Sequence, residues 1–259
     1  MRTIVCIKQV PSTNEVRLDP ETKTIIRDGR QSVTNPFDTY AIEQAVQIKE
    51  LLGGEVIGLS MGIPSTERLL RDAMSRGVDS SLLLSDRSFA GADTLATSYT
   101  LSLGVRSIGD FDLILCGKMA VDGDTAQIGP ELAENLGIPH VTDVVELVEV
   151  SEEKILCKKA TDKGHQILEV DLPALITVVK DINMPRLPSI PGIEFSLNAP
   201  FDIRNATDLN ADTARIGLSG SPTQVVKTYI PERTRTAVEL TGDTESQVKG
   251  IMKIIEEVI

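Results

Sequence analysis

From Thr3 to Pro139 the sequence alternates short aliphatic runs with segments of helical period, and no other feature narrows the possible architectures as much. Thr3–Val10 is rich in β-formers and stops at Pro11, as a first buried strand would. Asn35-Pro36-Phe37-Asp38 then reads as a helix start, with Asn at the N-cap, Pro at the first helical position and an acid in the first turn. Phe37, Ala41, Ile42, Ala45, Val46 and Ile48 share one face of that helix, and Gly53-Gly54 ends it. Glu55–Met61 and Ser81–Leu84 are expected strands, separated by a helix that Ser65 caps and Gly77 closes. Asp93 opens a helix to Ile108, Asp112–Cys116 is a fourth strand, and a helix over Gln127–Leu136 ends at Gly137-Ile138-Pro139. The alternation predicts an α/β fold: a mostly parallel open sheet, helices on both faces, strands joined by right-handed crossovers.

Other segments break the pattern. Val16-Arg17-Leu18 and Thr24–Ile26, around Asp19-Pro20, suggest a small hairpin. His140–Val150, Lys154–Thr161 and Gly164–Val179 alternate between polar turns and are expected to form an antiparallel meander on the sheet's edge. Residues 183–200, with Pro185, Pro188, Pro191 and Pro200, show no regular period and read as a long loop of the functional kind. The Gly/Ser-rich residues 216–224 read as a linker, dividing an α/β domain over 1–224 from a C-terminal arm over 225–259. In the arm, Thr244 and Gln247 form a capping box, and Val248, Ile251, Met252, Ile255, Val258 and Ile259 line one stripe of the helix that follows. Such a stripe either folds back on its own domain or grips a partner chain.

Charge and composition exclude several functions. A net charge of −12 repels a phosphate backbone or an anionic lipid surface, and an aromatic content of 3% leaves few rings for stacking bases, so neither nucleic acid nor membrane is an expected partner. Cys6, Cys116 and Cys157 are odd in number and lack CxxC spacing, which argues for buried thiols rather than disulfides or zinc. The N-terminal run alternates like a strand and has no small-residue cleavage site, so a soluble, cytoplasmic protein is expected. His140 and His165 are the only histidines, and the 38 carboxylates show no singled-out acid–base pair. Redox or group-transfer chemistry would therefore belong to a cofactor.

In an open parallel sheet, ligands sit outside the carboxyl ends of the strands. Four segments fall there: Cys6–Pro11, Asn35–Asp38, Ser60–Ile63 and Gly117–Ile128. The last leaves a strand and enters a helix, so free N–H groups and the helix dipole point at the site. Gly117 and Gly123 would let the backbone approach a ligand, while Thr125 and Gln127 can donate to phosphate oxygens. Asp122 and Asp124 suit ribose hydroxyls, loop hydrogen bonds or a helix cap. Asp-Gly turns are common, so by itself the segment reads equally as a structural loop. There is no GxxxxGK[ST] and no GxGxxG after the first strand. Lys8-Gln9-Val10-Pro11 also stands where an ATP-cleaving enzyme of this sheet class would carry an SGGxDS-like loop.

Ile4-Val5-Cys6-Ile7-Lys8-Gln9-Val10-Pro11, Asn35-Pro36-Phe37-Asp38 and Gly117-Lys118…Asp122-Gly123-Asp124-Thr125-Ala126-Gln127 together strongly resemble the β subunit of the electron transfer flavoproteins. Lys159-Ala160-Thr161-Asp162…Gln166-Ile167-Leu168…Pro173-Ala174-Leu175-Ile176-Thr177 is similar to that family's signature stretch, with Cys157 and Lys163 departing from its usual residues. The resemblance implies an adenine-nucleotide-binding, Rossmann-like sheet in a heterodimer whose α subunit carries an FAD and receives the C-terminal arm. It implies a nucleotide site in this chain formed by Cys6, Asn35, Pro36, Phe37, Asp38, Met61, Gly117, Lys118, Met119, Ala120, Val121, Asp122, Gly123, Asp124, Thr125, Ala126, Gln127 and Ile128. In respiratory members that site holds AMP; in electron-bifurcating members it holds a second FAD reduced by NADH, with ferredoxin or flavodoxin as a low-potential acceptor. Gly123, where respiratory members carry a carboxylate, favours FAD. The resemblance also implies that Leu187 and Ile190 dock onto a flavin-dependent dehydrogenase of acyl-CoA or 2-hydroxy acid type. A flavin-free nucleotide-binding regulatory protein is the alternative from a different class.

Overall fold

The computed structural model describes residues 1–12, 32–226 and 239–258. These fall into two compact units, Met1–Gln224 and Val225–Ile259. The hairpin expected over residues 16–26 lies outside the described residues.

In the first unit the expected alternation is present. Strand β1 (Arg2–Cys6) ends earlier than the apolar pattern suggests, because Gln9–Pro11 turns away as β2 and pairs antiparallel with β3 (Ser32–Thr34) in a separate ribbon. Helix α1 (Pro36–Leu52) leads to β4 (Glu55–Met61), α2 (Glu67–Ser75) to β5 (Ser80–Leu84), α3 (Thr94–Ile108) to β6 (Leu113–Gly117), and α4 (Ile128–Leu136) to β7 (His140–Val150). Asp93 caps α3 as expected, its side chain accepting from the Ala96 N–H. Ser65 caps nothing: a 3-10 turn over Pro64–Thr66 precedes α2, and Thr66 takes the N-cap position.

The meander is smaller than expected. Strands β8 (Lys154–Thr161) and β9 (Gly164–Asp171) continue antiparallel from β7 to one edge. Leu172-Pro173 then breaks the chain, and β10 (Ala174–Val178) runs between β6 and β7, parallel to both. All five β10 residues are buried, as befits a strand covered on both faces. Residues 183–200 are not wholly a loop, since they contain helix α5 (Ile190–Asn198), and β11 (Phe201–Arg204) extends the opposite edge beside β5. The order is β11-β5-β4-β1-β6-β10-β7-β8-β9. One face packs Val5, Leu113 and Leu115 on α1 and α2, and the other packs Ile4, Leu59 and Ile114 on α3 and α4. With such faces the buried apolar area supplies most of the stability.

Residues 216–223 are docked rather than a free linker. Leu218 donates its N–H to the Ala90 carbonyl, Ser221 accepts from the Asp93 N–H, and a Cβ on Gly217 would collide with the Ser88 carbonyl. In the second unit, α6 (Thr244–Val258) starts one residue before the expected box. Asp243 Oδ1 accepts the Ser246 N–H at 2.9 Å, while Gln247 donates back to the Gly242 carbonyl, so Asp243 is the N-cap and Thr244 the first helical residue. Val248, Ile251, Met252 and Ile255 form an exposed stripe.

Candidate nucleotide crevice

Strand order reverses between β1 and β6: from β1 the chain goes outward to β4 and β5, then returns to place β6 on the other side. A doubly covered sheet opens a crevice at such a point, beyond the carboxyl ends of the two strands. Cys6 ends β1, Gly117 ends β6, Met61 ends β4, and the segment 118–127 leads from β6 into α4.

The start of α1 holds this segment in place. Asn35 and Asp38 are both buried. Asn35 holds the N-cap position of α1 as expected, but its side chain does not bond the helix N–H groups; its amide donates to the Met119 carbonyl (2.9 Å) and to Asp38 Oδ1 (2.9 Å), and its oxygen accepts the Val121 N–H (3.2 Å). Asp38 accepts the Lys8 N–H at 2.7 Å, tying the exit of β1 to the same cluster. Burial pushes the Asp38 carboxyl up to about 7, against hydrogen bonds from Lys8, Asn35 and the Gly117 main chain. Gly117 is required by packing: a Cβ there would collide with Phe37 and Asp38 rather than face a ligand. Gly123 is the reverse case, with open space where its Cβ would stand.

Lys8 Nζ pairs with Asp122 Oδ1 at 2.5 Å, and Lys118 Nζ with Asp143 Oδ1 at 2.7 Å. The first pair neutralises the carboxylate that would most oppose a phosphate. Asp124 and Ala126 have φ values of 51° and 54°, a left-handed conformation that costs a non-glycine residue about 1 kcal/mol or more and is found most at functional sites. Among the described residues, the N–H groups of Thr125, Ala126 and Gln127 find no acceptor, and they lead directly into the first turn of α4. A run of free main-chain donors ending at a helix N-terminus fits the phosphates of a nucleotide. Gln127 also faces α3, its Oε1 accepting from the Thr94 hydroxyl at 3.1 Å.

Cys6 and Met61 contribute less directly. Cys6 is buried next to Cys116, and that neighbouring thiol together with burial holds Cys116 well above the ordinary thiol range. Met61 packs on the core of the α3 face. Leu187 and Ile190 lie apart from the crevice, at 82% and 84% exposure on the segment that enters α5. Sequence reasoning missed Lys8 as the partner of Asp122 and Gly129, whose missing Cβ lets α4 rest on Thr177. A groove of about 670 Å³ between α3 and α4 is lined by none of the expected ligand residues. Its cations serve the fold: Arg215 lies 3.9 Å over the Tyr99 ring and Arg106 donates to the Asn135 carbonyl. Among the described residues no cluster of His, Cys, Asp and Glu is arranged to hold a metal ion, and no helix is long and apolar enough to cross a membrane.

Fold and crevice define an open, mostly parallel α/β sheet with free main-chain donors where β6 leads into α4. The electron transfer flavoprotein domain model matches residues 22–209. An electron transfer flavoprotein subunit beta from Thermoanaerobacterium thermosaccharolyticum is 45% identical over 254 residues, covering 98% of this chain and 97% of that one. The caffeyl-CoA reductase-Etf complex subunit CarD of Acetobacterium woodii is 43% identical over 251 residues (96% and 95%), and protein FixA of Azotobacter vinelandii 38% over 257 (97% and 92%). The chain belongs to the electron transfer flavoprotein family, among its β subunits.

Proposed function

We propose that this chain binds FAD in the crevice between β1 and β6 and, paired with an FAD-carrying α subunit, passes electrons from NADH to a flavin-dependent dehydrogenase and to ferredoxin or flavodoxin. The observation that carries the reading is the run of unclaimed N–H groups at Thr125, Ala126 and Gln127, which stands between the end of β6 and the first turn of α4. These donors suit a diphosphate, and Asn35 and Asp38 keep the loop in the shape that presents them. The bound flavin would supply the redox chemistry; the protein holds it, orients it and sets its surroundings. The open space beside Gly123 supports FAD over AMP, because a carboxylate there would stand among the phosphates.

For the partner, the name of the Acetobacterium relative places that protein in a caffeyl-CoA reductase complex, which favours an acyl-CoA enzyme here. Leu187 and Ile190 would meet it, the domain over 1–224 would hold the nucleotide, and the arm over 225–259 would pack on the α subunit, all in the cytoplasm. Extracting the cofactors of the purified α/β pair tests the reading. Two FAD per pair and reduction by NADH are expected; one FAD with one AMP would make this a carrier of the respiratory kind.

A further inference from the structure

Apolar side chains held out in water carry an entropic cost on docking unless the backbone under them is already ordered. Residues 183–190 expose Met184, Leu187 and Ile190, the last two being the docking pair of the proposed function. The same segment is fastened to α1 at its start by Asn183, whose amide donates to the Tyr40 carbonyl (3.0 Å) and to Gln44 Oε1 (3.2 Å), and, next to the exposed pair, by Arg186. Arg186 gives Nε to Glu43 Oε2 (2.8 Å), Nη2 to Glu43 Oε1 (3.1 Å), and Nη1 and Nη2 to the two oxygens of Glu50 (2.6 and 2.9 Å). Its own N–H donates to Glu43 Oε2 at 3.0 Å, and its carbonyl accepts from Arg76 at 2.7 Å. The Glu43 side chain is only 5% exposed, so this is a partly desolvated clamp and not a surface pair. Further along, a Cβ on Gly192 would collide with the Ser75 carbonyl, which seats the start of α5 directly on α2.

We infer that Arg186 is a positioning residue for partner docking: bridging Glu43 and Glu50 of α1, it pre-orders the strap from which Leu187 and Ile190 project. The inference rests on the docking role proposed above for those two residues. A planar guanidinium is needed because it serves two carboxylates in parallel, and a lysine would reach one. The Arg186 side chain bonds only Glu43 and Glu50, neither of which belongs to the apolar clusters on the two sheet faces, so its loss loosens the strap between Asn183 and α5 while leaving both faces packed.

Electron transfer from the reduced α/β pair to a flavin-dependent acyl-CoA dehydrogenase is measured for Arg186→Met, Glu50→Gln, Ile190→Ala and the double variant Arg186→Met/Ile190→Ala. Hydrogen exchange is followed at the amides of 183–190. Arg186→Met is expected to raise the KM for the carrier about tenfold with kcat within about twofold, and to speed exchange only in the strap. Glu50→Gln, which removes an exposed partner and cannot compromise the core, should give about a threefold rise. The double variant should be little worse than Ile190→Ala, since a freed strap and a missing anchor lose the same docking step. If Ile190→Ala raises KM but Arg186→Met and Glu50→Gln do not, the positioning role is wrong and the docking surface stands. If Ile190→Ala itself leaves KM unchanged, the docking surface is wrong.

Discussion

Asp38 shows how a residue legible as a helix-start acid becomes something else when its surroundings close. The sequence places it correctly in the first turn of α1, where an acid ordinarily favours the helix dipole. It cannot reveal that β1 and β6 converge on the same spot and bury the carboxyl against Lys8, Asn35 and Gly117. In the folded chain this group keeps its proton to about pH 7, whereas unfolded it releases it near 3.8. The folded state therefore binds the extra proton between those values; the contribution of Asp38 to stability is full below about pH 3.8 and is lost as the pH rises toward 7. Carboxyl-carbon NMR should find Asp38 titrating near neutrality, and a midpoint at or below 4 would refute the burial argument. Asn35 is the complementary case. Removing its three hydrogen bonds in Asn35→Ala should cost about 2–3 kcal/mol in thermal unfolding and loosen nucleotide retention severalfold. Loss of stability with unchanged retention would separate Asn35 from the site.

Among the elements, the parallel strands and their helices follow from apolar runs and caps, and Asp93 and Pro36 open helices where the sequence says they do. The departures have local causes. Strand β10 was hidden because Gly164–Val179 reads as one stretch, yet Ala174-Leu175-Ile176-Thr177-Val178 is apolar except for one threonine and does not alternate like β9; a continuous run is the mark of a strand covered on both faces. Helix α5 was hidden by its prolines, although Pro191 in the first turn and Ser189 accepting the Gly192 N–H are ordinary helix-start chemistry. Both are errors of grouping, since pairing partners far apart in sequence decide which reading applies. At the start of α6, Asp243→Ala should cost about 1 kcal/mol of helix stability and Thr244→Ala only a few tenths, read as amide exchange over residues 246–249. Equal effects would restore Thr244 as the cap.

At the scale of the whole molecule, two features in separate units leave rows of apolar side chains exposed: the segment around Leu187, Ile190 and Leu197, and the stripe of α6. The first was visible in the sequence as an aperiodic proline-rich segment and the second as a helical stripe without a sequence neighbour. The crevice was legible as a place, from the segments that follow predicted strand ends and a Gly-containing turn, and its lining was legible only as residue types. Which groups are committed to the fold, such as Gly117, Lys118 and Asn35, and which remain free, such as the N–H groups of 125–127, depends on the tertiary packing. Family membership is carried by similarity along nearly the whole chain, while the nucleotide's seat is a claim about those free donors. A crystal structure of the α/β pair tests it most directly. Phosphate oxygens are expected about 3 Å from the main-chain nitrogens of Thr125–Gln127, with the adenine between the ends of β1 and β6. A crevice closed by the protein's own side chains, or a nucleotide bound elsewhere on the chain, would contradict it.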